Sequence, residues 1–392
     1  MMASCCDQPR TALAIIFACA AIIMVAAWAS MASAQPSDNT SQHVQGRLGP
    51  KHDLAVFWVG HSLIEGKAAS EWGNHSVMSL VGRFAEARGL AYRMGDHTLW
   101  GSPLSALWRG SPYSFKRDAS AMVAKREAFE RSAAQHDTLV LTEALPLGPT
   151  ARNEFGAYYL RRFYCTLMKA NPAARVYLYK TWVNFQGGDA HAKYPPLNKF
   201  DWRSEMVAQR KVWEELALTA ARPGVRAPGW LDRIGWTSSG DAGCTATAPI
   251  LIVPAGQALI NLSDRLARPA PDDGMTWPIG SRLRMADMFS NAYVDWPANW
   301  PIRGDAPDAD PKGILATLKL KYPSRQHDDI HPSAIGIYFV SLVHFATLYR
   351  QSPIGLPAPE SIGDGLARSL QCVAWMTVVG DLWSGVAGDA AC

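Results

Sequence analysis

Two short stretches of this chain hold side chains able to do chemistry together. In Val59-Gly60-His61-Ser62-Leu63, a serine follows closely on the apolar run Leu54–Val59, behind a glycine. A run of that kind reads as a buried strand, and a serine just past its end sits on a tight turn. There its hydroxyl faces solvent beside the N-terminus of the next helix. The bland reading of the same residue is an ordinary helix cap. The second stretch is His327-Asp328-Asp329-Ile330-His331-Pro332-Ser333, directly ahead of an apolar helical segment. A carboxylate three residues before a histidine can accept from its Nδ1–H, which leaves Nε2 to take a proton from a serine. Two other readings stay open: a metal site built from His327, Asp328 and His331, or a capping loop with an aspartate or Ser333 as the cap. The nucleophile elbow G-x-S-x-G does not fit, because Ile64 stands where its last glycine belongs. The elbow also follows several earlier strands, whereas Ser62 follows the first.

The elements that must position these residues alternate along the chain. Strands are expected at Leu54–Val59, Ala91–His97, Asp137–Thr142, Ala174–Thr181 and Pro249–Val253. Helices are expected at Glu71–Arg88, Ala119–Ala134, Asn153–Ala170, Glu205–Ala221, Gln257–Ala267 and Ser333–Tyr349. Such alternation implies βαβ crossovers and an α/β fold: a three-layer α/β/α sandwich on a mostly parallel, flavodoxin-like sheet. The pattern breaks at about 184–204, 223–248 and 268–326, which are rich in Pro, Gly and Trp and read as loop insertions. Trp182, Trp202, Trp230, Trp236, Trp277, Trp296 and Trp300 lie in or beside them. Their default role is core packing of large loops; aromatic contact with carbohydrate is the alternative.

A serine after the first strand and D-x-x-H before the last long helix is the order and spacing of the SGNH/GDSL hydrolases. The chain resembles that family from about residue 54 to 357. The resemblance implies a serine hydrolase with Ser62 as nucleophile, Asp328 as the carboxylate that orients the histidine, and His331 as general base. It also assigns Gly101, in Trp100-Gly101-Ser102-Pro103-Leu104, to the oxyanion hole together with the N–H of Ser62; the competing reading of Gly101 is a plain turn glycine. Val253-Pro254-Ala255-Gly256 is similar to a segment of carbohydrate-directed relatives. Two positions depart from the family pattern. His61 stands where an aspartate is usual, and Glu143 stands where the family places an asparagine whose side-chain N–H binds the oxyanion. An ionised Glu143 has no donor and would repel the developing charge. The two roles left to it are a protonated oxyanion contact and a contact to a substrate hydroxyl.

Composition narrows the classes further. The chain has 392 residues, 38 basic and 34 acidic side chains and a net charge of +4, so it offers no electrostatic case for nucleic acid. Arg10 precedes the apolar run Ala12–Trp28, and Ala32-Ser33-Ala34 supplies small residues for signal-peptidase cleavage. The expected organisation is a signal peptide at 1–34, a linker at 35–50, an SGNH-type domain at 51–357 and a C-terminal helical extension at 358–392. The alternative for the first segment is an uncleaved anchor; a cleaved chain would have no stable membrane insertion and would be periplasmic or secreted. Cleavage leaves Cys165, Cys244, Cys372 and Cys392, which permit disulfides in three connectivities. The expected function is an exported serine esterase with no metal or organic cofactor, acting on an ester substrate such as O-acetyl groups on a polysaccharide. A non-catalytic glycan-binding protein on a degenerate fold and an O-acetyltransferase are the alternatives.

Overall fold

Strands covered on both faces have no solvent side, so their apolar residues run on without alternation. Leu54–Val59 and Thr138–Leu141 are such runs, and both are buried along their length. The computed structural model describes residues 48–70, 73–110, 119–185, 201–226, 244–268, 273–289 and 330–392. Five strands form the main sheet: β1 (Asp53–Gly60), β4 (Ala91–Thr98), β5 (Thr138–Leu141), β6 (Arg175–Tyr179) and β7 (Ile250–Val253). Their spatial order is β4-β1-β5-β6-β7, and every pairing is parallel. The protein is therefore an α/β fold with the strand order of flavodoxin-like sheets. A small antiparallel hairpin, β2 (Ala68–Ser70) and β3 (Gly73–His75), stands apart from the sheet.

The pleat sends alternate residues of each strand to opposite sides. Leu54, Val56, Trp58, Val140, Tyr177, Tyr179, Leu251 and Val253 enter one core. That core also holds side chains of α2 (Val77–Ala87), α8 (Ala255–Ala267), α9 (Ala334–Tyr349) and α10 (Asp364–Gly380). Phe57, Val59, Leu139, Leu141, Val176, Leu178, Ile250 and Ile252 enter the other, with α3 (Leu104–Arg109), α4 (Ala119–Ser132), α6 (Gly156–Ala170) and α7 (Trp202–Ala221). Two short helices complete the set among the described residues: α1 (Ser62–Glu65) and α5 (Leu147–Asn153). Helix α9 is buried from Ile335 to Tyr349, which explains why its sequence is apolar all round. Trp182 and Trp202 are likewise core residues; Trp230, Trp236, Trp296 and Trp300 lie outside the described residues.

Several elements differ from the sequence reading. The helix expected from Glu71 starts at Val77, because Gly73–His75 pairs into the hairpin and Ser76 caps the helix, its hydroxyl accepting from Ser79 N–H. The helix expected at Asn153–Ala170 starts at Gly156, and a separate short helix, Leu147–Asn153, precedes it, the two divided at Phe155, whose φ is 57°. The segment 358–392 is helical as expected but is no appendage. Leu366, Leu370, Val373 and Val378 of α10 belong to the same core as α9. Leu48 N–H also donates to Gly385 O at 2.9 Å, which ties the start of the described chain to its end. The residues before Leu48, including the expected signal peptide, lie outside the described residues. Among the described residues, no helix is long and apolar enough to cross a membrane.

Of the three possible pairings, the cysteines form Cys165–Cys244 and Cys372–Cys392. The first links α6 to the segment entering β7 across 79 positions, the second closes 20. Loop-closure entropy gives roughly 4.5 kcal/mol for the longer loop and roughly 3.3 kcal/mol for the shorter, taken as upper figures. Replacing Cys165 and Cys244 by serine should therefore lower the melting temperature more than replacing Cys372 and Cys392. Thermal melts of the two double variants without reductant check the order.

Candidate active site

The chain runs from β1 outward to β4 and then crosses back to β5, so the strand order reverses between β1 and β5. In open α/β sheets, ligands bind at the carboxyl ends of the strands beside such a reversal. Ser62 lies there, two residues past the last strand position of β1 and first in α1. The turn needs Gly60: a Cβ on it would come within 2.6 Å of Thr142 Cγ2 and 2.8 Å of Ile64 Cδ1. His61 caps the helix, with Nδ1 accepting from Leu63 N–H at 3.5 Å. Its Nε2 therefore carries the proton, which it donates to the Glu143 carbonyl at 3.1 Å. Burial pushes the His61 imidazole down to about 4, against the Glu143 carbonyl and helped by the His331 charge, so it is neutral near pH 7. His61 is thus a neutral strut between the β1 and β5 ends.

His331 reaches Ser62 from the far end of the chain. Its Nε2 lies 2.8 Å from Ser62 Oγ, the distance of a strong hydrogen bond. Several bonds hold the short segment that carries it. Trp182, buried just past β6, donates Nε1–H to the Ile330 carbonyl at 2.8 Å. Phe289 pairs with Pro332 in an antiparallel bridge, and Ser333 N–H donates to Met288 O at 3.0 Å. The Ser333 hydroxyl donates to Asp287 O at 2.6 Å and accepts from Gly336 N–H at 3.3 Å, so this serine caps α9. Asp328, the expected partner of the imidazole, lies outside the described residues, as do His327 and Asp329. The metal reading of this stretch therefore also falls largely outside them. Among the described residues, no group of three or more His, Cys, Asp or Glu is placed to hold a metal ion.

The β4–α3 connection forms the third side. Leu99 N–H donates to Gly60 O at 2.8 Å, extending the β1·β4 ladder by one rung and bringing the next residues beside His61 and Ser62. Ser102 N–H then returns to Leu99 O at 3.2 Å, closing a turn with Gly101 at its third position and φ of 63°. That conformation favours glycine. The Trp100 indole stacks on the His331 imidazole, ring centroids 5.4 Å apart and planes 23° apart. An aromatic face there can accept positive charge that the ring gains. Neither Trp100 nor Trp182 carries a spacing signal in the sequence; both act through a stacked ring or one N–H.

Glu143 takes neither role offered to it from the sequence. Its side chain is fully buried, and Oε1 accepts from Leu104 N–H at 3.0 Å and Ala144 N–H at 2.9 Å. Oε2 has no hydrogen-bond partner among the described residues and lies where a Cβ on Gly156 would be 2.7 Å away. With no exposed surface, the carboxyl is closed to a substrate hydroxyl. Burial raises its pKa to about 7, against the two N–H donors and with a small addition from the Glu154 charge.

No family model matches the chain, and no curated protein matches it. A crystal structure of a DUF4886 family protein from Bacteroides uniformis is similar at 12% identity and a TM-score of 0.41, covering 83% of this chain and 95% of that one.

The raised Glu143 pKa has a sign. The native state holds this proton more tightly than the unfolded chain, whose carboxyl keeps the ordinary value of 4.5. The associated stability is complete below about pH 4.5 and is lost as pH rises through about 7. Glu143→Gln removes the titration, so the variant should gain on the wild type in melting temperature between pH 5 and pH 8. Parallel melting curves across that range check it.

Proposed function

We propose that this protein is an exported serine esterase, with Ser62 as nucleophile and His331 as general base. The observation that carries the reading is the 2.8 Å contact between Ser62 Oγ and His331 Nε2, made at the reversal of strand order. The two disulfides support the exported part, since such bonds persist in oxidising compartments. The substrate class offered is an ester on carbohydrate, an acetylated polysaccharide in particular.

The reaction is two-step acyl transfer. His331 Nε2 takes the Ser62 hydroxyl proton as Oγ attacks the ester carbonyl carbon. The carbonyl π pair moves to oxygen, and the tetrahedral oxyanion is held by the N–H groups of Ser62 and Gly101. The first N–H groups of a helix have no intrahelical acceptor, and Ser62 opens α1. On collapse, the C–O bond to the alcohol breaks and His331 returns the proton to the leaving oxygen. Water then attacks the acyl-serine with His331 again as base, releasing the acid and free Ser62. Asp328 is assigned to the imidazole Nδ1–H, and the stacked Trp100 ring supports the charge that His331 gains in each step. Buried His61 and Glu143 move no proton in this scheme.

Ser62→Ala and His331→Ala should each reduce p-nitrophenyl acetate hydrolysis to background with folding intact. Because the two act as one unit, the double variant should be little worse than either single one. Full activity in either single variant overturns the assignment. Faster acyl transfer to an added sugar than to water would instead favour an O-acetyltransferase.

Spacing distinguishes the two adjacent aspartates. Asp328→Asn should lower turnover and Asp329→Asn should be tolerated, with activity unaffected by EDTA; steady-state kinetics of the three samples decides this. Loss of activity on chelation would revive the metal reading of His327, Asp328 and His331.

A further inference from the structure

The Ser62 turn and the Gly101 turn meet at one residue that the reaction does not use. The main-chain carbonyl of Glu143 accepts from His61, the residue before the nucleophile, at 3.1 Å. Its carboxyl Oε1 accepts from the N–H of Leu104, which opens α3 and follows Gly101 by three positions. The bonds Leu99 N–H to Gly60 O and Ser102 N–H to Leu99 O fix where the connection begins. The Glu143–Leu104 bond fixes where it ends, 39 positions away in sequence.

We propose that Glu143 is a positioning residue: it clamps the Trp100–Leu104 segment, and with it the Gly101 N–H and the Trp100 ring, against the Ser62 turn. Three observations fit a clamp. The side chain is fully buried, so its contacts are made to protein. Oε1 takes two N–H groups at 3.0 and 2.9 Å, a pairing that a neutral carbonyl oxygen can also accept. Gly156, with no side chain, leaves the space that Oε2 fills. Further contacts hold α3 from behind: Ser105 Oγ donates to Glu154 Oε2 at 2.7 Å, and Arg109 Nη2 lies 3.8 Å from the same oxygen. Losing the Glu143 bond would therefore free the connection while α3 stays docked. The catalytic consequence rests on the esterase reading; the clamp itself does not.

The test compares full-length wild type, Glu143→Gln and Glu143→Ala by hydrogen exchange of the peptide spanning 99–107 and by steady-state hydrolysis of p-nitrophenyl acetate. Gln keeps an oxygen at the Oε1 position, whereas Ala removes it. In Glu143→Ala, exchange in that peptide should rise about tenfold or more while the β5–β6 peptides stay protected. Its kcat should fall about 10- to 100-fold with KM within about threefold, as expected when a transition-state donor is misplaced rather than substrate binding lost. Glu143→Gln should restore both readouts to near the wild-type values. Should Glu143→Ala fail to fold, Gly156→Ala displaces the same carboxyl, since its Cβ would sit 2.7 Å from Oε2, and must loosen the 99–107 peptide. Unchanged exchange in the variant that folds, or a Gln variant as loose as the Ala one, overturns the clamp. The expected exchange pattern, in a wild type no more active than Ser62→Ala, keeps the clamp and discards the esterase.

Discussion

A hydrogen bond of 2.8 Å between residues 269 positions apart lasts only if both partners are held by something stiffer than the loops they sit on. Restricting both side chains to one rotamer costs entropy of the same order as the roughly 0.5–1.5 kcal/mol that one hydrogen bond returns on balance. The Ser62–His331 contact is therefore a product of the surrounding fold and not a cause of it. On one side, β1 is an interior strand with both faces packed, and Gly60 lets its end close onto Thr142. On the other, His331 stands just before α9, a helix buried from Ile335 to Tyr349. Stiffness at both ends comes from apolar burial, and polar contacts only set the last ångström.

Those polar contacts follow one economy: a buried donor or acceptor needs a partner, so the partners chosen also join chain segments. His61 is a single neutral ring that caps α1 and ties β1 to the residue past β5. Trp182 uses its one N–H to hold the Ile330 carbonyl beside the histidine. His61 and Glu143 meet in one junction, where the His61 ring donates to the Glu143 carbonyl.

Much of the fold was legible in the sequence because a parallel sheet with two covered faces leaves continuous apolar runs, as in DTLVLT and ARVYLYK. Boundaries were less legible where a local device overrode the pattern. Ser76 and Ser79 build a capping box without the usual glutamate, so the start of α2 was placed too early. The left-handed Phe155 delays the start of α6 to Gly156, three residues past the expected start. Helix α3 is too short for periodicity to register. The meeting of Ser62 and His331 could be read from their order and spacing along the chain. The direction of the Glu143 side chain could not, since a residue past a strand end can turn toward the pocket or toward the next helix. Nor could the disulfide pairing, which spacing left open among three choices.

Helix α9 carries one more consequence. His331 leads straight into a helix that is buried on all sides and shares its core with β1, so among the described residues the chain that follows it opens only with that core. A compound that bridges Ser62 and His331 would bind only the fully folded state. Its binding energy would then register as slower exchange of the deepest amides in β1 and α9, and as a melting temperature that climbs with the logarithm of its concentration. A ligand screen by thermal shift would thus read this site without any assay of turnover.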